Sequence, residues 1–181
     1  SLPNRIVISN DNTFFILTWF GKLFKSTDHG VSWLECTKPW SDYSGYYDLK
    51  LTSDNYIWAT SWERPMRCSR DGGVTWTTVG TGLLNMDILG DIYRLTNGTL
   101  FFHSASNMYL SKSTDDGHTW TPVNAPRYST KFYITDTDEL ILINQENGIS
   151  IFKSTDQGLN FTLKHSVMPQ FGTRMDHIIH K

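Results

Sequence analysis

The stretch Lys112-Ser113-Thr114-Asp115-Asp116-Gly117-His118-Thr119-Trp120 decides the fold, because the chain contains three more copies of its pattern. Each copy keeps Asp two residues and Gly four residues after a Ser, and ends on Trp or Phe. We call the four segments the first to fourth repeat turns: Ser26–Trp33, Ser69–Trp76, Ser113–Trp120 and Ser154–Phe161. A spacing of roughly 40 residues between successive serines predicts repeated supersecondary units that bury their apolar faces against one another.

Apolar runs on both sides of each repeat turn predict two strands joined by a tight hairpin. The Asp can accept hydrogen bonds from turn amides, the Gly supplies a positive φ, and the aromatic residue is expected to pack into the core. We therefore interpret twelve residues as structural: Asp28, Gly30, Trp33, Asp71, Gly73, Trp76, Asp115, Gly117, Trp120, Asp156, Gly158 and Phe161. The Asp alternation and closing Glu of an EF-hand loop are absent, so no metal is predicted.

Alignment on the repeated Ser shows four short apolar runs in every repeat, separated by polar turns such as Asn10-Asp11-Asn12. Each repeat therefore predicts a meander of four strands, and no helical periodicity competes. Four-stranded meanders of about 40 residues are the blades of β-propellers. We predict an all-β propeller domain, or a fragment of one, with blades at 4–36, 46–80, 90–124 and 130–166.

The pattern Ser-x-Asp-x-Gly-x-x-Trp resembles the Asp-box, or BNR repeat, of sialidase-like propellers, and its four copies extend this resemblance over nearly the whole chain. The resemblance implies that each box joins the third and fourth strands of a blade and serves the fold. In sialidases the first substrate-binding arginine usually stands in an Arg-Ile-Pro motif. Arg5-Ile6-Val7 matches this motif only loosely. No sialidase catalytic residue is therefore carried over to this chain.

The C-terminal segment 174–181 resembles the first strand of a fifth repeat. Four complete blades and a spare strand favour a chain that is part of a larger propeller. The alternative is a four-bladed ring whose extra strand packs elsewhere or joins a neighbouring chain, which would give self-association.

Composition excludes several classes of function. The 181 residues carry a net charge of −2 with scattered Lys and Arg, so no nucleic-acid partner is predicted, and no apolar run is long enough to span a bilayer. Cys36 and Cys68 lack CxxC spacing, and free thiols are favoured over a disulfide. No cofactor is predicted. The chain begins Ser1-Leu2-Pro3, and we expect an extracytoplasmic location after removal of any leader.

Alternating strand direction places the repeat turns on one face of the propeller and the longer loops on the other. Binding residues concentrate on such loops over a rigid scaffold, and flat aromatic residues beside polar groups suit a sugar ring. The predicted ligand-binding residues of this loop face are Trp19, Trp40, Tyr43, Tyr46, Trp62, Glu63, Arg64 and Arg127. The alternative for Trp19 and Trp62 is that they seal the interfaces between blades.

Another set of equivalent positions lies at the start of the first strand of each repeat. These positions are occupied by Arg5, Asp48, Asp91 and Phe132. Two carboxylates at a channel mouth could form the acid/base pair of a glycosidase, which makes Asp48 and Asp91 the catalytic candidates. The alternative is that they are solvated residues that satisfy loop amides.

Three hypotheses of function follow. The first is a non-catalytic recognition module that binds a glycan or a protein loop on the loop face. The second is a sialidase-like glycoside hydrolase, or a fragment of one. The third is a protein-assembly scaffold without a small ligand.

Overall fold

The computed structural model describes residues 3–18, 20–41, 47–61, 64–83, 90–104, 107–146 and 148–167. The regular elements of these ranges are all β-strands. The described residues contain no helix long and apolar enough to cross a bilayer. The chain divides into two compact units, Ser1–Asn124 and Ala125–Lys181. The predicted strand at 174–181 lies outside the described residues.

The strands form four sheets of four strands each. The first sheet contains β1 (Pro3–Ile8), β2 (Phe14–Thr18), β3 (Leu23–Ser26) and β4 (Leu34–Glu35). The second contains β5 (Tyr47–Leu51), β6 (Ile57–Ser61), β7 (Arg67–Ser69) and β8 (Thr77–Thr78). The third contains β9 (Gly90–Arg94), β10 (Leu100–Ser104), β11 (Leu110–Ser113) and β12 (Thr121–Pro122). The fourth contains β13 (Ser129–Ile134), β14 (Leu140–Asn144), β15 (Ile149–Ser154) and β16 (Thr162–Val167).

Strand order within every sheet follows the chain, and all neighbouring strands are antiparallel. This arrangement confirms the four predicted meanders. It also confirms that each repeat turn joins the third and fourth strands of its sheet.

Hydrogen bonds within the third repeat turn show how Ser and Asp build the hairpin. The Ser113 hydroxyl donates to Asp115 Oδ1 (2.7 Å) and accepts from the Gly117 amide (3.0 Å). The Thr119 amide (2.9 Å) and hydroxyl (2.5 Å) then donate to the two oxygens of Asp115. These bonds satisfy turn amides that have no partner in the strand ladder. Asp115 thus holds the third repeat turn together through three hydrogen bonds.

Backbone angles confirm that the turn glycine takes a positive φ, which is +83° at Gly117. The residue before the glycine takes one as well, for example Asp116 at 56° and His29 at 58°. The sequence pattern did not reveal this second left-handed residue, because it is not a glycine in three of the four turns.

The aromatic residues of the repeat turns differ in burial, and the prediction that all of them pack into the core is wrong for Trp33. Trp120 is buried between two sheets, whereas Trp33 is 38% exposed. Both indoles donate to the carbonyl of their own turn glycine, Trp120 to Gly117 (2.8 Å) and Trp33 to Gly30 (3.0 Å). The two turns thus share one conformation, and the difference lies in what covers them.

Many buried apolar side chains of the first compact unit belong to two clusters, each between adjacent sheets. The first joins the first and second sheets and contains Phe15, Leu17, Leu23, Trp40, Leu49, Ile57 and Ala59. The second joins the second and third sheets and contains Trp58, Met66, Cys68, Val79, Ile92, Leu100, Phe102 and Trp120. Trp58 is fully buried, and Cys36 and Cys68 are free thiols.

Hydrogen bonding lowers the pKa of all four turn aspartates to about 2, from an ordinary value of 3.8. The hydroxyls of Ser32 and Thr119 contribute most at Asp28 and Asp115, and the Asn160 amide contributes most at Asp156. At Asp71 desolvation opposes ionisation, but the bonds from Thr75 and its neighbours outweigh it.

We therefore expect acid to destabilise the fold through these aspartates. A carboxylate whose pKa is lowered in the fold contributes stability that is complete above its unfolded pKa and is lost as pH falls through the folded pKa. The urea midpoint should hold above about pH 4 and decline progressively toward about pH 2. Urea titrations followed by circular dichroism measure it. Asp115→Asn should make the decline shallower, and a midpoint unchanged down to the lowest pH would contradict this explanation.

Candidate functional site

Five of the predicted ligand-binding residues lie outside the described residues: Trp19, Tyr43, Tyr46, Trp62 and Glu63. Their role stays a prediction. The described members of the set are Trp40, Arg64 and Arg127.

These three residues differ in their surroundings. Trp40 is buried in the cluster between the first and second sheets, and its indole donates to the Pro65 carbonyl (3.2 Å). Arg64 is half-buried, and Arg127 is exposed in the other compact unit. Trp40 therefore acts as core, because a loop that crosses between two sheets can turn its aromatic side chain inward. The sequence pattern could not distinguish this from an outward orientation.

Three innermost strands of the first compact unit bring four charged side chains together, which we call the charge row: Arg5, Asp48, Lys50 and Asp91. Arg5 Nε lies 3.1 Å from Asp48 Oδ1, and Lys50 Nζ lies 3.3 Å from Asp48 Oδ2. Lys50 Nζ also contacts Asp91 Oδ1. The row thus alternates in sign across β1, β5 and β9.

Strand geometry explains the row. Asp48 and Lys50 are two residues apart in β5, so both side chains project from the same face of the strand. Strand β5 lies between β1 and β9, which supply Arg5 and Asp91. The equivalent positions of Arg5, Asp48 and Asp91 were predicted from the repeat. Lys50 was missed, although its spacing of two from Asp48 in a predicted strand was a usable signal.

The two ends of the charge row are accessible, while its centre is not. Arg5 is 45% exposed and Asp91 is 49% exposed, whereas the Lys50 side chain is largely buried. Exposed ion pairs contribute little to stability. The row therefore ends in one exposed cation, Arg5, and one exposed anion, Asp91.

The ammonium group of Lys50 sits between the two candidate catalytic carboxylates. A glycosidase keeps its two carboxyl groups on opposite sides of the glycosidic bond, with one of them supplying a proton. Here Asp48 and Asp91 share a cation instead. A hydrolytic use of this pair would require Lys50 to leave the space between them.

Replacing Lys50 with methionine is expected to destabilise the chain by about 1–2 kcal/mol, because it leaves two carboxylates facing each other without their shared cation. Thermal unfolding measures the change. Lys22→Gln is the control, since Lys22 and Glu35 form a solvent-exposed pair (3.1 Å) whose loss should cost less than about 0.5 kcal/mol. Equal effects of the two substitutions would contradict the bridging role of Lys50.

The loops beyond the second strands are held by polar side chains at the strand ends. Thr18 Oγ1 accepts from the Lys22 amide (3.2 Å), and Ser104 Oγ accepts from the Asn107 amide (3.2 Å). Each bond satisfies a backbone amide close to the end of a second strand.

A polar cleft of about 330 Å³ lies on the opposite face, between the first and second sheets. Its lining comes from the repeat turns and from the turns between first and second strands, and includes Asp11, Lys25, Asp54, Arg70 and Asp71. No ligand was predicted for this face. The carboxylates are engaged locally, Asp11 by Ser9 and Asp71 by Thr75, for example. The described ranges hold no cluster of His, Cys, Asp or Glu suited to a metal ion.

Comparison with known proteins gives structural likeness without sequence likeness. No protein-family model matches the chain, and no curated protein matches it. A structure of YCF48 bound to D1 peptide matches 92% of the chain and 53% of that protein, with a TM-score of 0.62 and 14% identity. The fold is a β-propeller.

Two further propeller structures resemble the chain. The GH74 enzyme of Niastella koreensis matches 88% of the chain and 24% of its own length, with a TM-score of 0.65 and 19% identity. Virginiamycin B lyase from Staphylococcus aureus matches 88% of the chain and 54% of its own length, with a TM-score of 0.65 and 18% identity. The chain thus spans about half of two of these proteins and a quarter of the third. At such identities the likeness concerns the fold alone.

Proposed function

We propose that this propeller is a non-catalytic recognition module that binds an extended polypeptide segment along its charge row. The alternating row of Arg5, Asp48, Lys50 and Asp91 is the observation that carries the proposal. Its exposed ends present both signs of charge, and complementary charges on a partner select that partner and its register.

A polypeptide suits the row better than a neutral glycan, because a peptide can carry an acidic and a basic side chain at the spacing of the row. YCF48 bound to D1 peptide is a propeller of similar architecture with a peptide ligand. The aromatic residues Trp19 and Trp62 stay predicted contributors from the neighbouring loops.

The test compares a peptide array with a glycan array, both probed with the purified chain. We expect binding to peptides that carry both charge signs and a marked loss of binding as salt is raised, because exposed charges are screened. Arg5→Gln combined with Asp91→Asn should abolish this binding.

The matched control is Lys22→Gln combined with Glu35→Gln, which also removes one charge of each sign, but just before β3 and on β4 of the first sheet. This control should bind like the unaltered chain. Binding confined to the glycan array, or unchanged by the charge-row variant, would refute the proposal.

We propose further that the repeat turns are of the Asp-box type. The support is the bonding of Ser, Asp and Gly in each turn, and the place of each turn between the third and fourth strands. The expected extracytoplasmic location stays a prediction.

A glycoside hydrolase is the second candidate, favoured by the likeness to the GH74 enzyme. Its test is a panel of fluorogenic glycosides with the chain and with Asp48→Asn and Asp91→Asn. Turnover that disappears in these variants would support it. Absent turnover, or turnover unchanged in the variants, would remove these carboxylates from any catalytic pair.

A further inference from the structure

The backbone after the outer strand of one sheet bonds to the repeat turn of the next sheet. After the first sheet, the Thr37 amide donates to Gly73 O (3.2 Å), and the Trp76 indole donates to Thr37 O (2.9 Å). After the second sheet, the Gly80 amide donates to Gly117 O (2.9 Å) and the Trp120 amide donates to Thr81 O (2.8 Å). The second and third repeat turns are therefore both covered by the preceding sheet.

Apolar packing accompanies these bonds. A Cβ placed on Gly73 would lie 3.0 Å from Leu23 and 3.3 Å from Cys36, both in or beside the first sheet. A Cβ on Gly117 would lie 2.6 Å from the Trp58 ring of the second sheet. The glycine of a covered repeat turn thus touches the sheet before it.

The first repeat turn has the same conformation without such a cover. Among the described residues, the only neighbour that a Cβ on Gly30 would meet within 4 Å is Trp33 of the same turn. Val31 is 86% exposed, and Trp33 and Leu34 are exposed beside it. No described segment bonds to the backbone of this turn as Thr37 bonds to Gly73. Among the described residues, the first repeat turn thus lacks the cover that the second and third repeat turns have.

The fourth sheet has an exposed outer edge that could cover a repeat turn. Its outer strand β16 has six residues, all of them exposed, whereas β4, β8 and β12 have two each. Leu163 and Val167 are large apolar residues on this edge. A long exposed edge strand with apolar side chains readily pairs with another chain.

We propose that two copies of this chain associate, with the outer edge of the fourth sheet of each copy covering the first repeat turn of the other. Inside the chain, sheet edges already cover the second and third repeat turns in this way, so a sheet edge suits the first repeat turn as well. Two identical contacts would close the assembly, as symmetric oligomers require.

Size-exclusion chromatography with light scattering tests the proposal on the full chain, and the expected mass is twice that of one chain. Val31→Glu places a charge in the proposed contact and should raise the dissociation constant at least about tenfold. Leu163→Lys should have a similar effect from the other side of the contact.

Val74→Glu is the matched control, because Val74 occupies the place of Val31 in the second repeat turn and is 55% exposed. That turn is already covered by the first sheet, so this variant should keep the dimer. A monomer at every concentration, a dimer that survives both Val31→Glu and Leu163→Lys, or equal dissociation by Val74→Glu would overturn the proposal. Unchanged thermal midpoints of the variant monomers would show that the folds are intact.

Discussion

Replacing Gly117 with alanine is expected to destabilise the chain by about 3 kcal/mol or more, one of the two largest effects predicted here. Two causes add. Gly117 has a φ of +83°, where a side chain is strained, and its new Cβ would lie 2.6 Å from the Trp58 ring. Trp58 is fully buried and cannot move away without disturbing the core between the second and third sheets. The drop in the urea midpoint measures the effect.

Gly30→Ala is the control for backbone strain. Gly30 has a φ of +89° in the first repeat turn, and the nearest atom to its new Cβ is 3.6 Å away in Trp33. The strain alone should cost about 1–2 kcal/mol. If Gly30→Ala were as damaging as Gly117→Ala, contact with the preceding sheet would not be the reason for the glycine.

Trp58→Ala is expected to cost about 3–5 kcal/mol, because it leaves a large cavity in the core between the second and third sheets. The substitution also removes the hydrogen bond from the Trp58 indole to Thr52 Oγ1 (3.0 Å), which leaves that buried hydroxyl without its donor. Urea or thermal unfolding measures the loss.

Phe20→Ala is its control. Phe20 is an exposed aromatic residue of the first sheet's loop, so its truncation should change stability by less than about 0.5 kcal/mol. A mild effect of Trp58→Ala, comparable with that of Phe20→Ala, would contradict the assignment of Trp58 as the centre of the core.

Much of the fold was predictable from the sequence because the residues that form the hydrogen bonds of the repeat turn lie within the turn itself. Ser, Asp and Gly at fixed spacing are enough to specify the bonded hairpin, and the polar turns between apolar runs mark the strands. The exposure of Trp33 was not predictable in this way. The burial of a turn aromatic depends on a preceding sheet, and the motif itself is the same with or without one.

The candidate site was predictable only in part. Equivalent positions in the repeats identified Arg5, Asp48 and Asp91, and the structure brings all three together. The role of Lys50 follows from packing between neighbouring strands, which one repeat considered alone does not reveal. The inward orientation of Trp40 depends on the path of a loop between two sheets, and loop paths follow from tertiary contacts more than from local sequence.

The polar cleft between the first and second sheets illustrates the same limit. Turns from two sheets line the cleft. The sequence of each turn gives no sign of its contact with the other sheet. Asn10 of the first sheet bonds to Asn55 and to Ser53 of the second, at 2.8 Å in both cases. Such contacts between equivalent turns join neighbouring blades. They cannot be predicted from a motif within one repeat.

The central claim is that each covered repeat turn brings its glycine against the sheet before it, and a double-mutant cycle between Gly117 and Trp58 tests this most directly. Phenylalanine at position 58 would withdraw the ring atoms that a Cβ on Gly117 meets. In the Trp58→Phe background, Gly117→Ala should therefore cost only the strain of about 1–2 kcal/mol that Gly30→Ala shows. Urea unfolding of the four proteins of the cycle gives the coupling. A cost of Gly117→Ala that is the same in both backgrounds would contradict the claim.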